Sequence, residues 1–242
     1  MIKTFIKRSL PPSFLRLIRL YKNREYNNLS LEQIFSKIYE SGAWGKSEDP
    51  TRPFYSGSGS RRDDEIAAYV QSVTAFLRSF TVKPNVVDLG CGDFTVGSQI
   101  RVFCNRYIAC DVVLSLIDFN KARFRDLDVE FKVLDLTEHD LPPGDIVFVR
   151  QVLQHLSNDQ ISRFISRVPL SYKFLVVTEH LPSQAKFKHN VDKFTGPGTR
   201  MGSESGIVLT SPPFNLRPKM EKQLCRANSV DSGVLLTTLY GF

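Results

Sequence analysis

The segment VVDLGCGD, Val86–Asp93, is an apolar run that ends in an acidic residue and two glycines one residue apart. In an open α/β sheet, ligands bind outside the carboxyl ends of the strands. Glycines at such an end let a ligand approach the backbone, and the first N–H groups of a following helix add donors. The spacing then sorts the nucleotide-like ligands. A dinucleotide fingerprint needs G-x-G-x-x-G. Counted from Gly90, the third position is Thr95, and Gly97 comes two residues late. No G-K-[ST] is present, which excludes a phosphate-cradling P-loop. Asp88 stands two residues before Gly90, inside D-L-G-C-G. A carboxylate facing the crevice suits a cationic ligand group and disfavours a pyrophosphate.

Two further acids recur at matching places. Asp111 ends a second apolar strand, RYIACDVV, where a carboxylate can take both hydroxyls of a ribose. Asp135 ends a third, VEFKVLD, where it can accept the exocyclic amine of an adenine. Contacts for an ammonium, a ribose and an adenine together outline S-adenosylmethionine. A sulfonium methyl is already electrophilic, so the remaining work is alignment of a nucleophile and, for a hydroxyl, removal of its proton. A histidine suits that role. Of His139, His155, His180 and His189, only His155 and His180 follow directly on strands and fall on the ligand-binding edge. His139 sits in a polar connection and His189 in a long insertion. His155 and His180 are the candidate bases, and His189 could reach in as part of a lid.

These residues need elements to hold them. Ser30–Gln33 reads as a capping box opening a helix with Ile34, Phe35, Ile38 and Tyr39 on one face, and Gly42 is a natural stop. Asp63 or Asp64 caps a second helix, with Ile66, Tyr69, Val70, Val73, Phe76, Leu77 and Phe80 at helical spacing. Strands are expected at 85–90, 106–113, 129–135, 145–152 and 174–180, with a helix capped by Asn158 between the last two. Short continuous apolar strands separated by helical segments predict a parallel sheet covered on both faces. Residues 181–218, polar and rich in Gly and Pro, read as a substrate-facing insertion or lid. The tail reads as a closing antiparallel hairpin around 228–232.

The set of motifs resembles the class I S-adenosylmethionine-dependent methyltransferases over roughly residues 63–180. VVDLGCGD matches the first motif, ACD (109–111) the second-strand acid and VLDL (133–136) the adenine-side motif, while RQVLQHL (150–156) is similar to the fourth-strand segment of the small-molecule enzymes. The resemblance implies a Rossmann-like α/β fold: a seven-stranded, mostly parallel sheet with helices on both faces and a C-terminal antiparallel hairpin. It implies S-adenosyl-L-methionine as cofactor, held by Asp88, Gly90, Gly92, Asp111, Asp135, Leu136, Arg150 and Gln151, and no metal. It also implies that SGSGSRR (56–62) covers the methionine end, with Gly57, Ser58 and Gly59 close to the ligand; a plain linker is the other reading. The domain boundaries follow: 1–62 an arm and helical cap, 63–242 the methyltransferase domain. SPPF (211–214) looks like the [DNS]-P-P-[YFW] motif of amino-group methyltransferases, but that motif follows the fourth strand. Here RQVLQ occupies that place, so SPPF reads as a turn.

Composition narrows the acceptor. The formal charge of +7 is concentrated in residues 1–26, which carry seven Lys/Arg against one acid; the rest of the chain nets +1. A nearly neutral body argues against a nucleic-acid acceptor. The cationic arm, with apolar residues interleaved, either lies on an anionic membrane surface or packs its apolar side on the body. No apolar run is long enough to span a bilayer, and the N-terminus lacks a signal-peptide pattern. Cys91, Cys104, Cys110 and Cys225 form no C-x-x-C pair, which predicts reduced thiols and a cytoplasmic setting. IFSKIYESGAWG, SGSGS and NVDKFTGPGTRMGSESGIVL…PPF look similar to bacterial methyltransferases encoded with surface-polysaccharide genes. That similarity implies a saccharide hydroxyl as acceptor, on a glycan, nucleotide-sugar or lipid-linked carrier. N-methylation of another small molecule or RNA, a non-catalytic cofactor-binding module, and a nicotinamide oxidoreductase are the alternatives, the last opposed by the missing third glycine.

Overall fold

The computed structural model describes residues 24–26, 28–57, 63–229 and 233–242. The expectations for Ser58, Gly59 and nearly all of the cationic arm therefore lie outside the described residues. Helix α1 (Leu31–Ser41) has the expected capping box between Ser30 and Gln33, and Gly42 ends it in the left-handed region. Helix α2 (Asp63–Arg78) leads into β1 (Val86–Leu89). There follow α3 (Gly97–Ile100), β2 (Tyr107–Asp111), α4 (Leu114–Arg123), β3 (Glu130–Val133) and β4 (Ile146–Arg150). The chain continues through α5 (Asn158–Ile165), α6 (Val168–Ser171), β5 (Phe174–Leu181), β6 (Lys188–His189) and β7 (Ser205–Gly206) to β8 (Met220–Asn228) and β9 (Val234–Gly241).

Seven strands make one sheet in the order β3-β2-β1-β4-β5-β9-β8. The first five are parallel, and β9 enters antiparallel between β5 and β8. The tail thus forms the expected hairpin. The order reverses between β1 and β4, so the crevice opens where VVDLGCGD and RQVLQHL end their strands.

Strand alternation sorts the core into two layers. Val87, Leu89, Ile108, Cys110, Val147, Val149, Leu175 and Val177 pack on one face with α1, α5 and part of the 181–218 insertion. Val86, Tyr107, Ala109, Ile146, Phe148 and Val176 pack on the other with α2. Because α1 contributes Leu31, Ile34, Phe35 and Ile38 to the first layer, the helical cap shares its core with the sheet.

Two local expectations change. The cap of α5 is Ser157, whose hydroxyl accepts from Gln160 N in a capping box; Asn158 is the first helical residue. Its side chain is engaged elsewhere, donating to Asn190 O at 2.7 Å and accepting from Arg200 Nη2 at 2.8 Å. Strand β3 also stops at Val133, so Asp135 lies two residues beyond it. SPPF is a turn in the insertion, closed by Phe214 N donating to Ser211 O at 3.1 Å. Among the described residues, no helix is long and apolar enough to cross a membrane.

Candidate active site

The loop after β1 is bare and held from behind. Gly90 has φ +76°, and a Cβ added there would stand 2.4 Å from Val152 Cγ2. Gly92 has φ +56°, and its added Cβ would meet Ser56 Oγ at 2.7 Å. Only glycine fits both the conformation and the space. Gly90 N and Cys91 N both donate to Cys110 O, at 2.8 and 2.9 Å. The buried Asn120 of α4 donates to Gly92 O at 2.7 Å. The helix that follows differs from expectation: α3 has only four residues and begins at Gly97. The N–H groups before it are already used, Asp93 N by Ser56 Oγ at 3.0 Å and Thr95 N by Asp93 Oδ1 at 3.2 Å. Backbone approach at Gly90 and Gly92, not a helix N-terminus, is what the loop offers.

Above this loop is a cavity of about 370 Å³. Every described residue of the sequence-predicted set lines it: Asp88, Gly90, Gly92, Asp111, Asp135, Leu136, Arg150, Gln151, His155 and His180. Ser56 and Gly57 line it too.

Each acid has a distinct environment. Asp88 is buried, and burial pushes its pKa up from 3.8 to about 7, although the Tyr107 hydroxyl and the Arg150 guanidinium pull the other way. Tyr107 OH donates to Asp88 Oδ2 at 2.9 Å. Arg150, at the end of β4, sits with its guanidinium 5.1 Å from the centre of the Tyr69 ring, a cation–π contact. Asp111 accepts from Gly92 N (3.1 Å) and Val113 N (3.2 Å). Burial raises its pKa, and these N–H groups oppose the rise. Asp135 turns Oδ1 to Thr137 N and Oγ1, both at 2.7 Å, which leaves Oδ2 for a donor in the cavity. His139 closes that turn by accepting from Asp135 N at 3.1 Å. It is a loop residue, as its polar setting suggested.

The two candidate histidines differ. His155 is buried on the three-residue 3₁₀ turn Leu153–His155. Its ring lies 4.9 Å from that of Trp44, and its Nε2 is 3.2 Å from Gln154 Nε2. Burial and the nearby Lys193 cation push its pKa down to about 3. His180, on β5, is half-buried, and its backbone N–H donates to Gln154 Oε1 at 3.4 Å. Gln154 therefore ties the two histidine positions together.

Sequence reasoning missed one wall of the site. Phe35, Tyr39 and Trp44 from α1 and its exit line the cavity. Trp44 packs edge-on to Tyr39, ring centres 5.3 Å apart, and donates its indole N–H to Pro197 O at 3.0 Å. Tyr39 OH is 3.0 Å from Ser56 Oγ, beside Gly92. The signal was present, since Trp44 is the chain's one tryptophan, set just past a helix stop where a solvated residue is usual.

Residues 87–169 match a family model described as a methyltransferase domain. Among solved structures, the chain is similar to the N-methyltransferase NodS from Bradyrhizobium japonicum WM9 in complex with S-adenosyl-L-homocysteine. The identity is 18%, the TM-score 0.59, and the match covers 85% of this chain and 98% of that one. It is also similar to magnesium protoporphyrin IX methyltransferase (ChlM) from Synechocystis PCC 6803 with bound S-adenosylmethionine, at 13% identity and TM-score 0.55, covering 89% and 99%. A third is the bifunctional kinase-methyltransferase WbdD, at 15% identity and TM-score 0.54, where the match covers 75% of this chain and 40% of that one. A comparison with curated proteins gives no significant match.

The fold is that of the class I methyltransferases, and S-adenosylmethionine is the cofactor of this fold. The residues present fit it. A buried carboxylate at Asp88 gains from a cationic ammonium, Asp111 and Asp135 offer acceptors to hydroxyl and amine donors, and Gly90 and Gly92 leave the floor open.

Proposed function

We propose that this S-adenosylmethionine-dependent methyltransferase methylates a sugar hydroxyl on a glycan, nucleotide-sugar or lipid-linked saccharide. The observation that carries the reading is the composition of the acceptor side of the cavity. Trp44 offers an aromatic surface beside His155, and Gln154, His180, Thr199 and Ser229 supply polar groups around it. A sugar ring has an apolar C–H face and a rim of hydroxyls. An aromatic wall with a few convergent polar groups is complementary to both.

The bound cofactor supplies the electrophilic methyl group. The chain's part is to hold Asp88, Gly90, Gly92, Asp111 and Asp135 against it, to orient the acceptor and to take its proton. His180 is the better base. His155, with a pKa near 3, stays neutral at physiological pH, and its Nε2 is engaged with Gln154. A weak base held by a neighbour orients better than it accepts protons. His155 is thus assigned to orientation and His180 to proton removal. A cytoplasmic setting is part of the same reading. So is contact of residues 1–26 with an anionic carrier or membrane, which charge reversal of Lys7, Arg8, Arg16 and Arg19 should abolish in a liposome-binding assay.

The test is methyl transfer to a panel of nucleotide-sugars and lipid-linked saccharides, read as S-adenosylhomocysteine release. His180→Ala should lower turnover at least about tenfold with S-adenosylhomocysteine affinity unchanged. Normal turnover in His180→Ala removes it as base. Transfer only to amine acceptors replaces the sugar reading with N-methylation.

A further inference from the structure

The turn Leu153–Leu156 carries Gln154 and His155 into the cavity. A 3₁₀ turn this short cannot satisfy its own run of carbonyl groups. Here four successive carbonyl oxygens are met by cations of the 181–218 insertion. Arg200 Nη1 donates to Leu153 O and Gln154 O, both at 3.3 Å. Lys193 Nζ donates to His155 O at 3.0 Å, and Arg200 Nη2 to Leu156 O at 2.9 Å. Gly196 N adds a second donor to His155 O at 3.1 Å.

Arg200 is itself fixed. It is 3% exposed, its Nε donates to Val191 O at 3.0 Å, and its Nη2 also reaches Asn158 Oδ1 at 2.8 Å. A guanidinium presents five donors in a rigid fork, which an ammonium cannot copy. The fork joins the start of α5, the insertion and the histidine turn into one unit. On the cavity side, that unit ends in the chain His155–Gln154–His180.

We infer that Arg200 is a positioning residue for methyl transfer. It acts through the Leu153–Leu156 turn to fix the His155 ring and the Gln154 amide, with Lys193 as the second clamp. The insertion then contributes to catalysis without touching cofactor, by setting the geometry of the acceptor side. This rests on the acceptor-side reading above, so its test needs a readout that does not require a known acceptor.

That readout is the imidazole ¹⁵N spectrum of His155, recorded on full-length protein labelled at histidine. Gln154 holds Nε2, so the native ring should show one neutral tautomer. Arg200→Lys and Lys193→Met should each convert it to an averaged pair of tautomers, with S-adenosylhomocysteine affinity within about twofold of native by calorimetry. With an acceptor in hand, the same variants should lose about tenfold or more in kcat, since small displacements at a reacting centre are costly. Arg200→Lys keeps the charge but not the fork, and Lys193→Met changes a half-buried residue, so both are mild enough to fold. An unchanged His155 spectrum in both variants overturns the inference. So does a fall in S-adenosylhomocysteine affinity that matches the loss of kcat, because a general structural defect would produce it. If native protein methylates no saccharide yet the spectrum responds as stated, the sugar reading fails while the positioning role stands.

Discussion

Replacing Asp88 with Asn tests the cofactor site through its protons. Burial lifts the Asp88 pKa from 3.8 to about 7. The shift corresponds to about 4 kcal/mol of unfavourable free energy for holding the carboxylate charged in its buried setting. The sign follows from linkage. A folded-state pKa above the unfolded one means that the penalty is absent below pH 3.8, grows as pH rises, and is complete above 7. A cationic ammonium beside Asp88 restores the charged form, so cofactor binding must expel whatever proton Asp88 carries. With a pKa near 7, release should be about 0.9 proton at pH 6 and about 0.1 at pH 8. Calorimetric titration with S-adenosylhomocysteine in buffers of differing ionisation enthalpy reads this directly. Asp88→Asn should bind about a hundredfold more weakly, from loss of a charged hydrogen-bond partner, and release no proton at pH 6. Its unliganded form should be at least as stable as native protein at pH 8.5. Native protein that releases no proton at pH 6, or a variant that releases as much, would refute the placement of the ammonium at Asp88.

Three further variants probe neighbouring steps. Tyr107→Phe removes the hydroxyl that donates to Asp88 at 2.9 Å; the carboxyl pKa should climb, and proton release on binding should extend to higher pH in the same titration. Gly90→Ala forces a side chain into the left-handed region 2.4 Å from Val152 Cγ2. It should cost about 1–3 kcal/mol in chemical denaturation and weaken S-adenosylhomocysteine. Trp44→Ala should raise the acceptor KM about tenfold and leave S-adenosylhomocysteine affinity near native, because its ring contacts His155 and its N–H holds Pro197 O.

The gathering of Asp88, Gly90, Gly92, Asp111 and Asp135 around one cavity was legible because its parts are local. Asp88, Gly90 and Gly92 lie within one strand end, and Asp111 and Asp135 each close a short apolar run, so period and spacing place them on one sheet edge. The aromatic wall around Trp44 was not, because it is assembled from distant segments. Trp44 meets Pro197 across 153 residues, and Lys193 reaches His155 O across 38. No periodicity encodes such a contact. The polar, Gly- and Pro-rich composition of 181–218 predicted an irregular insertion but not that Arg200 would be buried in it, since arginine is rarely buried unless paired. Asn158 misled for the same reason: its type suits a cap, but Ser157 took the cap and Asn158 was drawn to Arg200.

Glu179 shows what that buried arginine costs and when. It lies beneath the histidine turn at 4% exposure, where burial pushes its pKa from 4.5 to about 8 against the opposing pull of Arg200 and of the Leu153 and Gln154 backbone. Near neutral pH it is therefore mostly protonated, and the Arg200 charge is met chiefly by the carbonyl groups of the turn. Ionisation of Glu179 is the unfavourable step. Its folded-state pKa exceeds the unfolded one, so its contribution to stability is full below pH 4.5 and is lost as pH rises through 8. Glu179→Gln keeps the shape of the protonated acid and removes that ionisation. At pH 6 the native acid must keep a proton that the unfolded chain has mostly lost, so the variant should already be the more stable by about 2 kcal/mol. At pH 9 the native carboxyl must charge without adequate solvation, and the variant should be the more stable by a few kcal/mol. Urea unfolding at the two pH values measures the difference. If the gap between variant and native does not widen from pH 6 to 9, Glu179 is ionised in the native protein, and Arg200 owes its place to a salt bridge and not to the turn it holds.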